Sequence, residues 1–358
     1  MSDDYFLDCD THFSDHEPRM WTAITDEVAL PALPEVAEHS GQLRLLIGDQ
    51  LFPKPEGPGQ GNPRGLGHLI GPGLDEDRQK FMADNSIAAA TLQPGFVGLS
   101  FQAVAETDLR VALAEAYNLL ASRACATSGV ELRWAVLLSV EDPGWSHWAV
   151  ERHAGDPHLV GAVVRPTART AAVRLSDAAF GPVLRLLAER ELALFIHGGT
   201  GCYQWSPLAD AYASYPLTHT FGHMGEQMIA LTDLLTRVDG LPDALRVVLL
   251  ESGVSWIPPV LSRLDSHVRR LSAAAGTPSE AFLKHVAVAP DPGESHVVWA
   301  LKEIGTDNVV FGSDYPHWDT VRAEEWRAAF GQLCGVAALW ENTQRFVPRL
   351  VKSVAVGA

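Results

Sequence analysis

Short apolar runs alternate along this chain with longer stretches in which apolar residues recur at helical spacing. Eight of the runs stop at Gly, Pro or polar residues and are predicted to be β-strands. The predicted strands cover residues 5–10, 87–92, 132–138, 159–165, 192–196, 245–250, 285–289 and 309–311. The predicted helices cover residues 75–85, 108–128, 145–153, 180–190, 222–237, 257–271, 294–304, 322–333 and 337–349.

Strands that are apolar at nearly every position are typical of parallel sheets that helices cover on both faces. The alternation of such strands with helices therefore predicts an α/β protein with a parallel (β/α)₈ barrel. A doubly wound open sheet is the alternative. We find no internal repeat and expect residues 1–358 to form one domain.

A Gly/Pro-rich segment interrupts the pattern after the first predicted strand. Residues 53–73 contain 12 Gly or Pro in 21 positions, too many for a helix or a central strand. The segment is predicted to be part of an insertion over one end of the fold, at about residues 40–75. Long loops of this kind often act as lids or binding segments.

The overall composition limits the partners of the protein. The chain has 44 acidic residues, 27 Lys or Arg, and a formal net charge of -17. Nucleic acids and anionic membranes are bound by basic surfaces, so neither is expected as a partner. The start of the chain lacks a secretory signal and no apolar run is long enough to span a bilayer, which predicts a cytoplasmic protein. We expect a small-molecule substrate and leave a homodimer open.

Polar side chains stand where several predicted strands end, and a barrel brings those ends to one mouth. Asp10 and His12 are two residues apart, so extended backbone directs both to the same side. The polar residues at the strand ends are Asp10, His12, Arg165, His197, Glu251 and Asp314. Imidazole and carboxylate ligands suit Zn²⁺, Mn²⁺ or Fe²⁺, which can activate water or polarise a substrate oxygen.

The motifs around these residues resemble those of amidohydrolase family 2, which includes aminocarboxymuconate-semialdehyde decarboxylase and its relatives. The resemblance covers nearly the whole chain and is weakest over residues 22–75. It rests on Asp10-Thr-His12 with Glu17-Pro18 and Trp21, on His197-Gly-Gly, on Glu251-Ser-Gly-Val-Ser-Trp256-Ile-Pro258 with Arg263-Leu-Asp265, on Phe-Gly-Ser-Asp314-Tyr-Pro-His317, and on Asn342 with Phe346.

The resemblance implies a distorted TIM barrel that holds one divalent metal ion. Zn²⁺ is the first expectation, with Mn²⁺ or Fe²⁺ as alternatives. The positions that match the ligands of the family are Asp10, His12, His197 and Asp314. No Lys stands at the end of the fourth strand, where binuclear amidohydrolases carry a bridging lysine, so one ion is expected rather than two.

Two departures from the family pattern affect the expected chemistry. Asp10-Thr-His12 replaces the commoner His-x-His and is closer to the Glu-x-His of the decarboxylating members. Glu251 stands where the decarboxylases carry a His, and His219 or His223 could supply an imidazole instead. Arg165 could bind a substrate carboxylate or pair with an acidic residue of the rim.

Three functions are compatible with these residues. The first is non-oxidative decarboxylation of a small aromatic or unsaturated carboxylic acid, with Asp314, Glu251, His223 and Arg165 as catalytic candidates. The second is hydrolysis of an amide, a lactone or a C–C bond by metal-activated water, with Asp314 or Glu251 as the general base. The third is a metal-free barrel that serves as a binding protein.

Overall fold

The computed structural model describes residues 5–69, 75–104, 106–166, 174–199, 214–237, 239–271 and 276–350. The strands within them are β1 (Phe6–His12), β2 (Glu35–His39), β3 (Gln42–Ile47), β4 (Gln50–Phe52), β5 (Ile87–Gln93), β6 (Leu132–Leu137), β7 (Leu159–Val164), β8 (Ala193–His197), β9 (Val247–Leu250) and β10 (Val286–Val288). The α-helices are α1 (Pro18–Ala23), α2 (Asp75–Asp84), α3 (Phe96–Ser100), α4 (Thr107–Thr127), α5 (Pro143–His153), α6 (Gly181–Glu189), α7 (Tyr215–Leu217), α8 (His223–Leu235), α9 (Ile257–Leu271), α10 (Pro278–His285), α11 (Val297–Ile304), α12 (Ala323–Phe330) and α13 (Val336–Phe346). Short 3₁₀ segments lie at Gly65–His68, Phe101–Ala103 and Ala178–Phe180, and a π-helical turn at Thr218–Gly222.

Seven strands form one parallel sheet in the order β1-β5-β6-β7-β8-β9-β10. An irregular eighth segment closes it, because Val309 bridges to Val288 while Phe311 and Tyr315 bridge to β1, all in parallel. The predicted (β/α)₈ barrel is therefore confirmed. Its distortion lies in the eighth strand, which pairs with its neighbours only through isolated bridges.

The barrel strands are apolar and buried along their whole length. None of the residues of β6, β7, β8 and β9 is exposed. Gly161 of β7 shows how closely the strands approach, since a Cβ atom there would lie 2.5 Å from the ring of Phe195 and 2.6 Å from the carbonyl oxygen of Ala193. This burial on both faces explains why the strands read as continuous apolar runs.

A small antiparallel sheet, β2-β3-β4, lies in the connection between β1 and β5 and was not predicted. Two-residue turns join its strands, since His39 pairs with Gln42 and Ile47 with Gln50. Gly41 and Gly48 have positive φ angles of 76° and 62°, which such turns require. The turn pairs Ser-Gly and Gly-Asp were the available signal, but the exposed polar residues of β2 obscured the strand pattern. Residues 70–74 of the predicted insertion lie outside the described residues, and its role as a lid stays a prediction.

Among the described helices, none is long and apolar enough to cross a membrane. Cys9, Cys125 and Cys334 are buried and form no disulfide among the described residues, and Cys202 lies outside them.

Asn342 of α13 attaches the eighth strand to the outer layer of helices. Its side-chain amide donates to the carbonyl oxygens of Thr306 at 2.7 Å and Val309 at 2.8 Å. The residue is only 7% exposed, so these carbonyls would lose their partner in a buried place if the amide were removed. Asn342 thus stabilises the segment that leads to Asp314.

We predict that Asn342→Leu lowers the free energy of unfolding by about 1–3 kcal/mol, because it removes two hydrogen bonds and leaves the buried carbonyl group of Val309 without this donor. Denaturant unfolding measures the change. Glu341→Leu, at an exposed position of the same helix, is the control and should change the stability by less than about 0.5 kcal/mol. Equal stability of the two variants would contradict the role given to Asn342.

Candidate metal centre

Strand β1 brings two carboxylates and an imidazole into the interior of the barrel. Asp8, Asp10 and His12 occupy alternate positions and therefore share one face of the strand. None of the three is more than 2% exposed. Burial of so many ionisable groups is costly unless each is hydrogen-bonded, ion-paired or bound to a cation.

The junction between β1 and the eighth strand fixes Asp10 next to Asp314. The carbonyl oxygen of Asp10 accepts from the backbone N–H of Ser313 at 3.1 Å and of Asp314 at 2.8 Å. The carboxylate of Asp8 accepts from the backbone N–H groups of Asp10 and Ser313, both at 3.0 Å, and from Ser313 Oγ at 2.6 Å. Asp8 therefore holds both strands in one register just below the two candidate ligands.

Asp314 and Glu251 both adopt a backbone conformation that side chains disfavour. Their φ angles are 57° and 53°, in the left-handed region that non-glycine residues rarely occupy. Glu251 directly follows β9, and Asp314 follows the last bridge of the eighth strand to β10. Such strain is stored preferentially at functional sites, where the surrounding structure maintains it.

The four predicted metal ligands meet at the mouth of the barrel. His12 Nε2 lies 2.9 Å from Asp314 Oδ1 and 3.7 Å from Asp10 Oδ1. His197 Nε2, at the end of β8, lies 3.5 Å from the same Asp10 oxygen. Ligand atoms of Asp10, His12 and His197 all lie within 4.8 Å of one another, as do those of His12, Asp314 and His317.

Backbone carbonyl groups determine which nitrogen of each imidazole faces the cluster. His12 Nδ1 is 2.6 Å from the carbonyl oxygen of Pro94, and His197 Nδ1 is 2.7 Å from that of Gly198. Because a carbonyl only accepts, each Nδ1 carries the hydrogen, and each Nε2 offers its lone pair to the cluster when the ring is neutral. This is the usual arrangement around metal-binding histidines.

The donor set fits a divalent cation. Asp10 Oδ1 and His197 Nε2 are buried and have no hydrogen-bond partner among the described residues, and buried His12 Nε2 faces the carboxylate of Asp314 at 2.9 Å. A cation bound by these atoms and by Asp314 would compensate for their burial. Two imidazoles and two carboxylates match the preferences of Zn²⁺, Mn²⁺ and Fe²⁺.

Without a cation, the cluster is balanced by a proton. Burial disfavours the charged form of His12, but the carboxylates of Asp314 and Asp10 outweigh burial and raise the pKa of His12 to about 9. Burial would likewise raise the pKa of Asp314, yet the adjacent His317 and His12 hold it well below its usual value. A coordinating imidazole is neutral, so a metal ion must displace the proton of His12 when it binds.

Glu251 and His223 lie on the β9 side of the cluster. Glu251 Oε2 is 3.5 Å from His197 Nε2, and Glu251 Oε1 is 3.4 Å from His223 Nδ1. Burial and the neighbouring carboxylates of Asp314, Asp319 and Asp10 raise the pKa of Glu251 well above its usual value. His223 Nδ1 is 3.0 Å from the carbonyl oxygen of Glu251, while its buried Nε2 has no partner among the described residues. Burial lowers the pKa of His223 well below its ordinary value, so the ring is neutral.

Arg165 is part of a buried ion pair. Its guanidinium group forms two hydrogen bonds with the carboxylate of Glu226, at 2.9 and 3.2 Å, and donates to the carbonyl oxygens of Leu99 and Gly199. These contacts correspond to the ion-pair alternative rather than to a group that awaits a substrate carboxylate. His219, the other candidate imidazole, lies 3.7 Å from Asp319 and is more exposed than His223.

Sequence reasoning missed two groups that support the cluster. Asp8 was part of the first strand but was not singled out, although the spacing Asp8, Asp10, His12 was a readable signal. His317 was named only as the end of the motif that contains Asp314, whereas its Nδ1 lies 2.7 Å from Asp314 Oδ1. The three-residue spacing between Asp314 and His317 gave no indication of that contact.

A pocket that opens to solvent lies beside the cluster. Aromatic, imidazole and carboxylic side chains dominate its wall. They belong to His68, Phe96, Tyr215, His219, His223, Glu251, His317, Trp318 and Asp319. No Lys or Arg lines it in the part of the chain that the structure describes.

Comparison with known proteins identifies the family. The amidohydrolase family model Amidohydro_2 matches residues 7–345, nearly the whole chain. The chain therefore belongs to the amidohydrolase family, which makes it a metal-dependent enzyme of the carboxy-lyase or hydrolase type. No curated protein matches the sequence.

Solved structures of low sequence identity share the fold. An amidohydrolase from Mycobacterium avium subsp. paratuberculosis K-10 has a TM-score of 0.69 at 18% identity, with 99% of each chain covered. The 5-carboxyvanillate decarboxylase from Novosphingobium aromaticivorans, complexed with manganese and a nitrobenzoic acid, has a TM-score of 0.61 at 20% identity, with 76% of this chain and 79% of that chain covered. A dihydroxybenzoic acid decarboxylase from Polaromonas sp. JS666, with manganese and 2-nitroresorcinol, has a TM-score of 0.58 at 16% identity, with 80% of this chain and 87% of that chain covered.

We predict that Asp314→Ala lowers the bound metal from about one ion per chain to below about a tenth, because it removes one of four ligands. Elemental analysis of protein loaded with Mn²⁺ or Zn²⁺ and then desalted measures the content. Asp319→Ala removes a nearby carboxylate outside the proposed ligand set and should keep the ion. Retention of metal by Asp314→Ala would exclude Asp314 as a ligand.

We further predict that Asp8→Asn weakens metal binding by about 10–100-fold, the range found when groups that orient metal ligands are replaced. The reason is that the amide oxygen can still accept from the backbone N–H groups of Asp10 and Ser313, but the amide nitrogen cannot accept from Ser313 Oγ as the second carboxylate oxygen does. Asp15→Asn is a matched control, since Asp15 is also buried and accepts two backbone N–H groups, those of Val97 and Gly98. Metal titration followed by calorimetry distinguishes the variants, and equal affinities would rule out the role of Asp8.

Proposed function

We propose that this protein is a decarboxylase that removes CO₂ without oxidation from a small aromatic or unsaturated carboxylic acid, with one divalent metal ion held by Asp10, His12, His197 and Asp314. The observation that carries the proposal is the buried cluster of ligand atoms from Asp10, His12 and His197 beside Asp314, with Glu251 3.5 Å from His197 Nε2. Asp10 Oδ1 and His197 Nε2 have no hydrogen-bond partner among the described residues. The decarboxylases of similar fold add support, because two of them contain manganese with aromatic ligands. Manganese is therefore tested beside the zinc that the resemblance suggests.

The metal ion and the cavity wall bind different parts of the substrate. When bound, the ion would neutralise the substrate carboxylate and withdraw negative charge from the breaking C–C bond. Phe96 and Trp318 offer flat apolar surface to an aromatic ring. Arg165 stabilises the cavity wall through its ion pair with Glu226 and its hydrogen bond to the carbonyl oxygen of Gly199.

Glu251 supplies the proton that decarboxylation requires. The bond to the carboxyl group breaks, its electron pair stays on the substrate carbon, and that carbon takes a proton from the Glu251 carboxyl. Burial, the largest cause of the raised pKa of Glu251, favours the protonated form that can donate. Glu251 thus takes the position of the missing histidine. After the reaction its carboxylate is protonated again by solvent through His223, whose Nε2 accepts the proton first.

Hydrolysis is the second candidate, and one observation favours it. The described wall of the cavity has no Lys or Arg, and Arg165 is paired with Glu226, so the wall offers no free cation to a substrate carboxylate. A neutral amide or lactone needs no such cation. Glu251 or Asp314 would then act as a general base toward water.

The deciding experiment incubates the manganese-loaded protein with a panel of hydroxybenzoic and unsaturated acids. We expect release of CO₂ and formation of the corresponding product without carboxyl group. Products that contain ¹⁸O from labelled water, with no CO₂, would replace the proposal by hydrolysis.

We predict that Glu251→Gln reduces the rate of CO₂ release at least about 100-fold, because an amide cannot donate and regain the proton. Its metal content should remain that of the wild type. Asp291→Asn, an exposed carboxylate near the same mouth, is the control and should retain the rate. Full activity of Glu251→Gln would exclude Glu251 as the proton donor.

A further inference from the structure

The insertion between β1 and β5 carries a histidine into the cavity beside the metal cluster. His68 ends the 3₁₀ segment Gly65–His68, is 8% exposed and lines the cavity wall. It was not among the residues that the sequence singled out.

The backbone around His68 is fixed to the small antiparallel sheet. Gly65 has a φ of 57°, and a Cβ atom there would lie 2.2 Å from the carbonyl oxygen of Leu43, so the segment packs directly against β3. Arg44 of the same strand donates to the carbonyl oxygens of Pro53 at 2.6 Å and Pro63 at 3.3 Å. These contacts fix the backbone of the insertion at His68 relative to the small sheet.

Three imidazoles form a row from the metal cluster to the insertion. The ring of His317 lies 4.2 Å from that of His12 and 5.6 Å from that of His68, measured between ring centroids. Both pairs are inclined by 36°. Two ring contacts thus connect His68 with a metal ligand, and His68 and His317 line the same pocket.

The hydrogen bonding of His68 determines what it can offer a ligand. Its Nδ1 lies 2.6 Å from the carbonyl oxygen of Gly65 and therefore carries the hydrogen. Burial and the neighbouring His317 lower the pKa of His68 to about 4, so the ring is neutral near pH 7 and Nε2 is an acceptor. No hydrogen-bond partner of Nε2 is present among the described residues.

We propose that His68 determines substrate specificity, because its Nε2 accepts a hydrogen bond from a hydroxyl or amino group that the substrate carries away from its metal-bound carboxylate. The inference rests on the acid substrate of the proposed function and narrows it to hydroxylated or aminated acids. A site with a directed acceptor favours a ligand that carries a donor over an analogue without one, because only the former makes the hydrogen bond to Nε2.

The test compares binding of hydroxybenzoates and of benzoate to the manganese-loaded full chain by calorimetry. Wild type should bind at least one of 2-, 3- and 4-hydroxybenzoate at least about tenfold more tightly than benzoate. His68→Phe should reduce this preference to below about threefold, with unchanged metal content and unchanged affinity for benzoate. His39→Phe, in the β2 strand of the same insertion, is the matched control and should retain the preference.

A second measurement needs no variant. In wild type with ¹⁵N-labelled histidine, the Nε2 resonance of His68 should shift when the preferred hydroxybenzoate binds and should stay in place when benzoate binds. A preference that survives in His68→Phe, or equal binding of all four acids to wild type, would overturn the inference.

The two proposals fail separately. If CO₂ is released but the preference does not depend on His68, the inference alone is wrong. If the preference depends on His68 but no CO₂ is released, the proposed decarboxylation is wrong and His68 keeps its role in binding.

Discussion

Everything at the mouth of this barrel depends on how the eighth strand joins the first. One carbonyl group, that of Asp10, accepts from the N–H groups of Ser313 and Asp314, and the carboxylate of Asp8 ties the same residues from below. Through this junction, side chains more than three hundred positions apart become neighbours. The barrel closes and the candidate metal centre forms by the same hydrogen bonds, so neither is complete without the other.

The electrostatics of the mouth follow from that closure. Asp10, Asp314 and Glu251 converge in a buried space, and Arg165, a cation close to it, is paired with Glu226. Asp10 Oδ1 and His197 Nε2, which have no hydrogen-bond partner in the part of the chain that the structure describes, mark the place where positive charge is missing. A divalent cation satisfies the carboxylates and the imidazoles together, which a proton on His12 achieves only for part of the cluster.

Much of this arrangement was predictable because local sequence patterns indicate it. Continuous apolar runs indicated the barrel strands, and polar residues at their ends indicated Asp10, His12, His197, Glu251 and Asp314. The hairpins of residues 35–52 were missed because their strands are half exposed and polar. The contacts of His68 and His317 could not be predicted, since no periodicity encodes how their segments are placed relative to the rest of the chain. For Arg165, an ion pair was one of two alternatives, and the sequence could not decide between them. Strain at Glu251 and Asp314 was equally hidden, because only the folded backbone shows it.

Anomalous diffraction from crystals grown with Mn²⁺ tests the central claim most directly, because it locates the ion without reference to activity. The account predicts one strong peak bonded to the Nε2 atoms of His12 and His197 and to carboxylate oxygens of Asp10 and Asp314, at about 2.0–2.3 Å. A peak bound by other side chains, or its absence from the mouth of the barrel in fully loaded protein, would contradict it.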